Sequence, residues 1–265
     1  MTKPRRLDAE LVSRGLAATR SEAKRLIEAG EVEVGGMPVG KPAAMVSADA
    51  AIDVVRDRPR FVSRGGEKLD RALDRLDVVV AGRRWLDVGA STGGFTDCLL
   101  KRDATEVIAV DVGYGQFDWN LRNDERVHVM ERTNIRDLQP DALPWMPEGV
   151  VADLSFIPLT LVLPALVSLA EPDADHVLLV KPQFEVGKSA VPKGGVVRDP
   201  ALWRFSMSKV VVIGEELGLG LVAVVPSELP GPAGNREFFL HLHRDVASDT
   251  SAVEKAAREA SDEGK

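Results

Sequence analysis

The sequence predicts an α/β protein, a mainly parallel sheet covered on both faces by helices, preceded by a small α+β unit. Three observations carry that prediction. From residue 66 onward helical and strand patterns alternate. A buried strand, WLDV at 85–88, runs straight into a glycine-rich turn and then a helix. The first fifty-five residues hold instead two short amphipathic helices and a hairpin signal. With 265 residues, 45% hydrophobic and 28% charged, the chain can bury one large core and one small one.

In LDAELVSR (7–14), Leu7, Leu11 and Val12 share a helical face, and Gly15 stands where a left-handed cap is wanted. Thr19-Arg20-Ser21-Glu22 has the capping-box form and starts a second helix that ends at Gly30, with Ala23, Leu26 and Ile27 as its apolar stripe. EVEVGGMPV (31–39) reads as two alternating runs joined at Gly35-Gly36, and AIDVV (51–55) as a closing strand. Arg56-Asp57-Arg58-Pro59 is a charged, proline-stopped break. The expected domains are therefore 1–58, with a linker at 56–60, then 61–246, then an Ala-rich helical extension at 247–265 with Thr250 or Ser251 as its cap.

In the larger domain, helices are expected at Glu67–Leu76, Phe95–Lys101, Leu159–Leu169 and Ala201–Leu217. Strands are expected at Arg84–Val88, Glu106–Val110, Val127–Glu131, Val150–Asp153, His176–Val180 and Leu221–Val225, with Glu237–His243 as an antiparallel edge strand. IPLTLVLPALVSLA (157–170) is too short, and holds two prolines, against roughly 20 apolar residues needed to span a bilayer. It reads as a buried helix. The start, MTKPRRLDAE, lacks the apolar stretch of a secretory signal. One cysteine, Cys98, and four histidines leave neither a disulfide framework nor a metal cluster. The expectation is a cytoplasmic protein with no metal and no membrane partner.

The net charge of −7 argues at first against a polyanionic partner, but residues 1–25 hold seven basic side chains against three acidic ones. A local footprint matters more than the sum. On the second helix Arg20, Lys24 and Arg25 lie off the apolar stripe. The candidate RNA contacts are Arg5, Arg6, Arg14, Arg20, Lys24 and Arg25, joined by Lys41, Arg64 and Arg132. The segment RLDAELVSRGLAATRSEAKRLIEAGEVEVGG resembles the alpha-L RNA-binding motif, the module of ribosomal protein S-four and of many pseudouridine synthases. That resemblance implies a second helix and hairpin docked on RNA backbone.

In WLDVGASTGGFTD (85–97), the glycines let backbone amides approach a ligand at the carboxyl end of the first strand. The candidate cofactor contacts there are Asp87, Gly89, Ala90, Ser91, Thr92, Gly93, Gly94 and Phe95. No G-x-G-x-x-G can be written. Asp111, ending the second strand, can accept both hydroxyls of a ribose, and Asn134 in ERTNIRDL can meet an adenine edge. That order suits a nucleoside ligand without pyrophosphate, S-adenosylmethionine rather than NAD. Gly187-Lys188-Ser189 imitates the end of a P-loop, but Pro182 stands where its first glycine would be. Asp153, a further candidate cofactor contact, ends the fourth strand and Lys181 the fifth, and an ordinary structural ion pair is the competing reading of such residues.

Over nearly its whole length the chain resembles the TlyA family of ribosomal RNA 2'-O-methyltransferases, whose catalytic domain is similar to FtsJ. The motifs are FVSRGGEKLDRAL, LDVGASTGGFTDCLL, DVGYGQFDWNLRND, ERTNIRDL, VADLSFIPL, LVKPQFEVGK, GGVVRDP and LPGPAGNREFFL. The resemblance implies a Rossmann-like class I methyltransferase domain behind an alpha-L RNA-binding domain. It also implies a catalytic tetrad at Lys68, Asp153, Lys181 and Glu237. Lys181, eased toward its neutral form by a nearby Lys68, would accept the hydroxyl proton, while Asp153 and Glu237 hold the ammonium groups. Members of the family modify cytidine in large-subunit RNA, and longer members with a C-terminal helix also modify small-subunit RNA, so ribosomal subunits are the expected partner. A non-catalytic ribosome-assembly factor and a haemolysin, the label some relatives carry, are the rival readings.

Overall fold

The computed structural model describes residues 4–55 and 60–262, and the chain divides into two units, Met1–Pro59 and Arg60–Lys265. The proline-stopped break at Arg56-Asp57-Arg58-Pro59 lies outside the described residues.

The first unit runs β1 (Arg5–Arg6), α1 (Leu7–Ser13), α2 (Arg20–Glu28), β2 (Val32–Val34), β3 (Met37–Pro38), β4 (Met45–Val46) and β5 (Ile52–Val54). Thr19 accepts the amide of Glu22 at 3.1 Å, while the Glu22 carboxylate accepts the amide of Ala18 at 2.8 Å, so helix start and entering chain are tied together. β2 pairs antiparallel with β3 across the Gly35-Gly36 turn and with β5 on its other side. Leu7, Leu11, Ala23, Leu26, Ile27, Val32 and Ile52 make the core between helices and sheet. The two-residue pairing of β1 with β4 carries no periodicity and had no sequence signal.

The second unit runs α3 (Arg64–Leu76), β6 (Arg84–Val88), α4 (Gly94–Lys101), β7 (Glu106–Val110), α5 (Trp119–Arg122), β8 (Val127–Met130), β9 (Gly149–Ala152), α6 (Leu163–Ser168), β10 (Asp175–Val180), α7 (Pro182–Glu185), α8 (Pro200–Glu216), β11 (Leu219–Pro226), β12 (Phe238–Arg244) and α9 (Ser251–Asp262). Its seven strands lie in the order β11-β12-β10-β9-β6-β7-β8; β12 runs antiparallel to β10 and β11, and the other neighbouring pairs are parallel. Period-two alternation splits the core. Leu86, Val88, Ile108, Val150 and Leu178 pack on one face with residues of α6, α8 and α9, while Trp85, Val107, Val151 and Val177 pack on the other with residues of α3 and α4. Where α3 meets the start of α4 the backbones touch: a side chain at Gly66 would collide with Phe61 and the carbonyl of Gly94. This close approach brings Lys68 to the glycine turn.

Two expectations need correction. The Glu237–His243 strand is not at the edge, because β12 lies between β10 and β11. Its unbroken buried run, Phe238 to Leu242, is what burial on both faces demands, and the edge falls to β11 with its partly exposed Val222. The helix expected at 159–169 is split into a 3-10 turn at Leu159–Leu161 and α6. The helix expected in the C-terminal extension is α9, and its Val253, Ala256, Ala257 and Ala260 are buried in the core that includes α8 and β11. Among the described residues no helix is long and apolar enough to cross a membrane.

Candidate active site

The glycine turn between β6 and α4 is bound to the end of β7, since the amides of Gly89 and Ala90 both donate to the carbonyl of Val110, at 2.9 and 3.2 Å. Gly89 has φ +83°, and any side chain there would collide with the carbonyl of Asp153 at the end of β9. Asp111 accepts the Ser91 amide at 2.8 Å on one carboxylate oxygen and the Gly113 amide at 2.6 Å on the other. It therefore shapes the turn, and each oxygen keeps a lone pair for a ligand.

Two adjoining cavities open at this carboxyl edge of the sheet. One, of about 360 Å³, is lined by Asp111, Asn134, Ile135, Val110 and Gln116, as a planar apolar base and a ribose require. Asn134 uses its side-chain oxygen to accept the amide of Arg136 at 3.2 Å. The other, of about 440 Å³, is lined by Ala90, Thr92, Gly94, Phe95, Lys68 and Lys181. Gly89, Ser91, Asp153 and Ser155 line both, so the two form one groove. Its carboxylates, Asp111 and Asp153, suit a cationic nucleoside better than a pyrophosphate.

The four residues of the expected tetrad form two ion pairs. Lys68 Nζ lies 2.6 Å from Glu237 Oε2, both groups almost fully buried. Lys181 Nζ lies 2.5 Å from Asp153 Oδ1, and donates to Ser155 Oγ at 3.0 Å. Each ammonium thus has its own carboxylate, and Lys68 reaches the cavity while Glu237 stands behind it.

Some predicted contacts fall elsewhere. Asp87 is wholly buried beneath the turn and lines neither cavity; Thr96 donates to it at 2.6 Å. Burial pushes its carboxyl up to about 7, and the charges of Asp153 and Asp111 add to the rise. Gly93, with φ +94°, is buried under Leu121 and Phe117 rather than in the lining. Among the basic residues, Arg5, Arg6, Arg20, Lys24, Arg25, Lys41, Arg64 and Arg132 are exposed. Arg14 is not a free contact: its guanidinium donates to the carbonyls of Ala50 and Ala48, at 2.7 and 2.8 Å, and to Glu10 at 2.9 Å. Arg6 and Arg20 share Asp8, which their guanidinium groups hold down to about 2. Arg64 lines the larger cavity, whereas Arg132 lies over the ring of Tyr114 at 4.0 Å.

Sequence reasoning missed Ser155, Phe156 and Glu185. Phe156 is 91% exposed with φ +66°, a left-handed backbone uncommon for a bulky side chain and frequent at functional loops. Its proximity to Asp153 in VADLSF was the available signal. Among the described residues no group of acidic, histidine or cysteine side chains has the geometry to hold a metal ion.

The model of the FtsJ-like methyltransferase family matches residues 61–244, and that of the S4 domain matches 5–52. The 16S/23S rRNA (cytidine-2'-O)-methyltransferase TlyA of Mycobacterium tuberculosis is 54% identical, with all of both chains covered. The Bacillus subtilis protein YqxC, carried under an rRNA methyltransferase name, is 46% identical over 91% of this chain and 86% of its own. A solved structure from Streptococcus thermophilus that bears a hemolysin name has a TM-score of 0.72 at 35% identity, covering 100% of this chain and 99% of that one. With a family model matching most of the catalytic unit and a relative matching end to end, the chain belongs to the TlyA family of FtsJ-like methyltransferases.

Proposed function

We propose that the protein transfers methyl from S-adenosylmethionine to the ribose 2'-hydroxyl of cytidine in ribosomal RNA, in the cytoplasm. The observation that carries this reading is the meeting of the Lys181–Asp153 and Lys68–Glu237 pairs with a nucleoside-shaped groove that Asp111 and Asn134 line. End-to-end similarity to an enzyme named for both subunit RNAs supports large- and small-subunit substrates alike.

S-adenosylmethionine, when bound, supplies an electrophilic methyl group on a sulfonium. Asp111 and Asn134 would hold its nucleoside end, and the bare backbone at Gly89 would leave room for it. Lys181, held by Asp153 and Ser155, would orient the attacking hydroxyl and, in its neutral amine form, take the hydroxyl proton. Lys68 adds positive charge to the cavity wall, and Glu237 keeps that charge tolerable inside the fold. The exposed Arg20, Lys24 and Arg25 of the first unit supply the phosphate contacts that hold the subunit.

The test is transfer of labelled methyl to unmethylated ribosomal subunits, followed by mass-spectrometric mapping of the RNA. Label on cytidine 2'-oxygens is expected. Folded protein that binds subunits without transferring methyl would favour the assembly-factor reading.

A further inference from the structure

Glu185 ends the single-turn helix α7 that begins directly after Lys181. Its carboxylate, only 3% exposed, accepts the amide of Leu159 at 2.5 Å. Leu159 closes the loop that begins at Asp153. The two segments are therefore tied twice. One tie is Lys181 to Asp153 and Ser155, at 2.5 and 3.0 Å, and the other is Glu185 to Leu159. Among the described residues, the amides of Leu154, Ser155, Phe156 and Ile157 donate to no backbone carbonyl. The stretch between the ties packs Leu154 and Ile157 on the core and sets Phe156 5.3 Å from the ring of Phe184 in α7, but it has little hydrogen bonding of its own, so its polar anchoring lies at its two ends.

We propose that Glu185 is a positioning residue for methyl transfer, its buried carboxylate fixing the loop after β9 against α7 and so setting the separation of Asp153 from Lys181. This rests on the function proposed above. α7 is a firm anchor, because Lys209 of α8 donates to the Glu185 carbonyl at 2.9 Å. Burial raises the Glu185 carboxyl above its usual range, against the opposing pull of the Leu159 amide. The tie needs only an acceptor oxygen, charged or neutral.

That requirement separates the variants. Glu185→Gln keeps the acceptor and should transfer methyl within a few-fold of wild type under single-turnover conditions with saturating cofactor. Glu185→Asp withdraws the acceptor by one methylene while keeping the carboxyl group. Its rate should fall on the order of 10²-fold, the scale of a misplacement of about 1 Å. The rates are compared at saturating cofactor because Leu154, Ser155, Phe156 and Ile157 also line the cavity that holds Asp111 and Asn134. Hydrogen exchange at residues 154–159 should rise in Glu185→Asp and not in Glu185→Gln. A Gln variant as slow as the Asp variant, or an Asp variant with wild-type rate or unchanged exchange, overturns the proposal. Failure of wild-type protein to transfer methyl overturns the functional reading instead, and the exchange experiment still decides whether Glu185 fixes the loop.

Discussion

Lys181 Nζ stands 2.5 Å from Asp153 Oδ1 at the ends of two strands, β10 and β9, that run side by side and parallel. Neighbouring parallel strands deliver their last residues to one edge of the sheet, so this pair follows from topology. It reaches the cavity without belonging to the buried core.

Lys181→Ala should therefore abolish activity at little cost to folding. A positioned acid–base group contributes about 10²–10⁴-fold, and single-turnover methyl transfer at several pH values measures the loss. Lys181→Arg should not restore the rate, because a guanidinium does not give up its proton at working pH. An arginine variant near wild-type rate would reduce position 181 to a supplier of charge.

The Lys68–Glu237 pair should behave differently. Glu237→Ala leaves a buried ammonium unpaired, which costs about 3–5 kcal/mol in denaturant unfolding. Replacing both residues by apolar ones of similar volume should recover most of that stability and none of the activity. A single variant as stable as wild type would show that Lys68 finds water on its cavity side.

For Asp111→Ala the expected loss is in S-adenosylmethionine affinity, at roughly 1.5–3 kcal/mol for each hydrogen bond to the carboxylate. The amides of Ser91 and Gly113 also lose their acceptor, so the turn should loosen along with the ribose contact. Calorimetry showing unchanged affinity would place the cofactor elsewhere.

Asp87 gives a stability signature in pH. Its folded pKa, about 7, lies above that of an unfolded aspartate, near ~4, so the native state binds the extra proton. Its contribution to stability is complete below ~4 and is lost as pH rises to about 7. Asp87→Asn lacks this dependence, so its thermal stability relative to wild type should rise across that window and level off above it. A constant difference from pH ~4 to ~8 would mean that Asp87 stays charged throughout.

Removing Arg20, Lys24 and Arg25 together should weaken subunit binding and flatten its salt dependence, because fewer phosphate contacts release fewer counterions. Arg14→Ala should instead destabilise the first unit, since its guanidinium serves the carbonyls of Ala48 and Ala50. A filter-binding salt titration and a melting curve separate the two roles.

The legible parts of this molecule are those where residue type alone forces a local conformation. Thr19 as a cap, Gly35-Gly36 as a hairpin, and a strand breaking into glycines at 85–94 are such places. The four-residue helices α5 and α7 are too short to show a period. Sheet order is set by packing across the chain, so Phe238–Leu242 announced burial without announcing its neighbours. Charge likewise gives no direction: nothing in the sequence says that Arg14 turns inward while Arg25 turns out, or that Asp87 sinks below the turn it precedes. At the site, Asp153 and Lys181 were readable as strand ends. Glu185 was not, because its partner Leu159 reaches it only through the fold.

The segment that leads into the C-terminal helix also guards the molecule against its own kind. Strand β11 ends the sheet, and an open strand edge is a template for pairing with another chain. Here the amide of Leu221 donates to Ser248 Oγ at 3.0 Å and its carbonyl accepts the amide of Asp249 at 3.2 Å, so the outward backbone groups at that position are already taken. A chain cut just before Ser248 would lose those partners and α9's apolar cover at once. Its first symptom would be clumping in the test tube, before any change in its chemistry could be read.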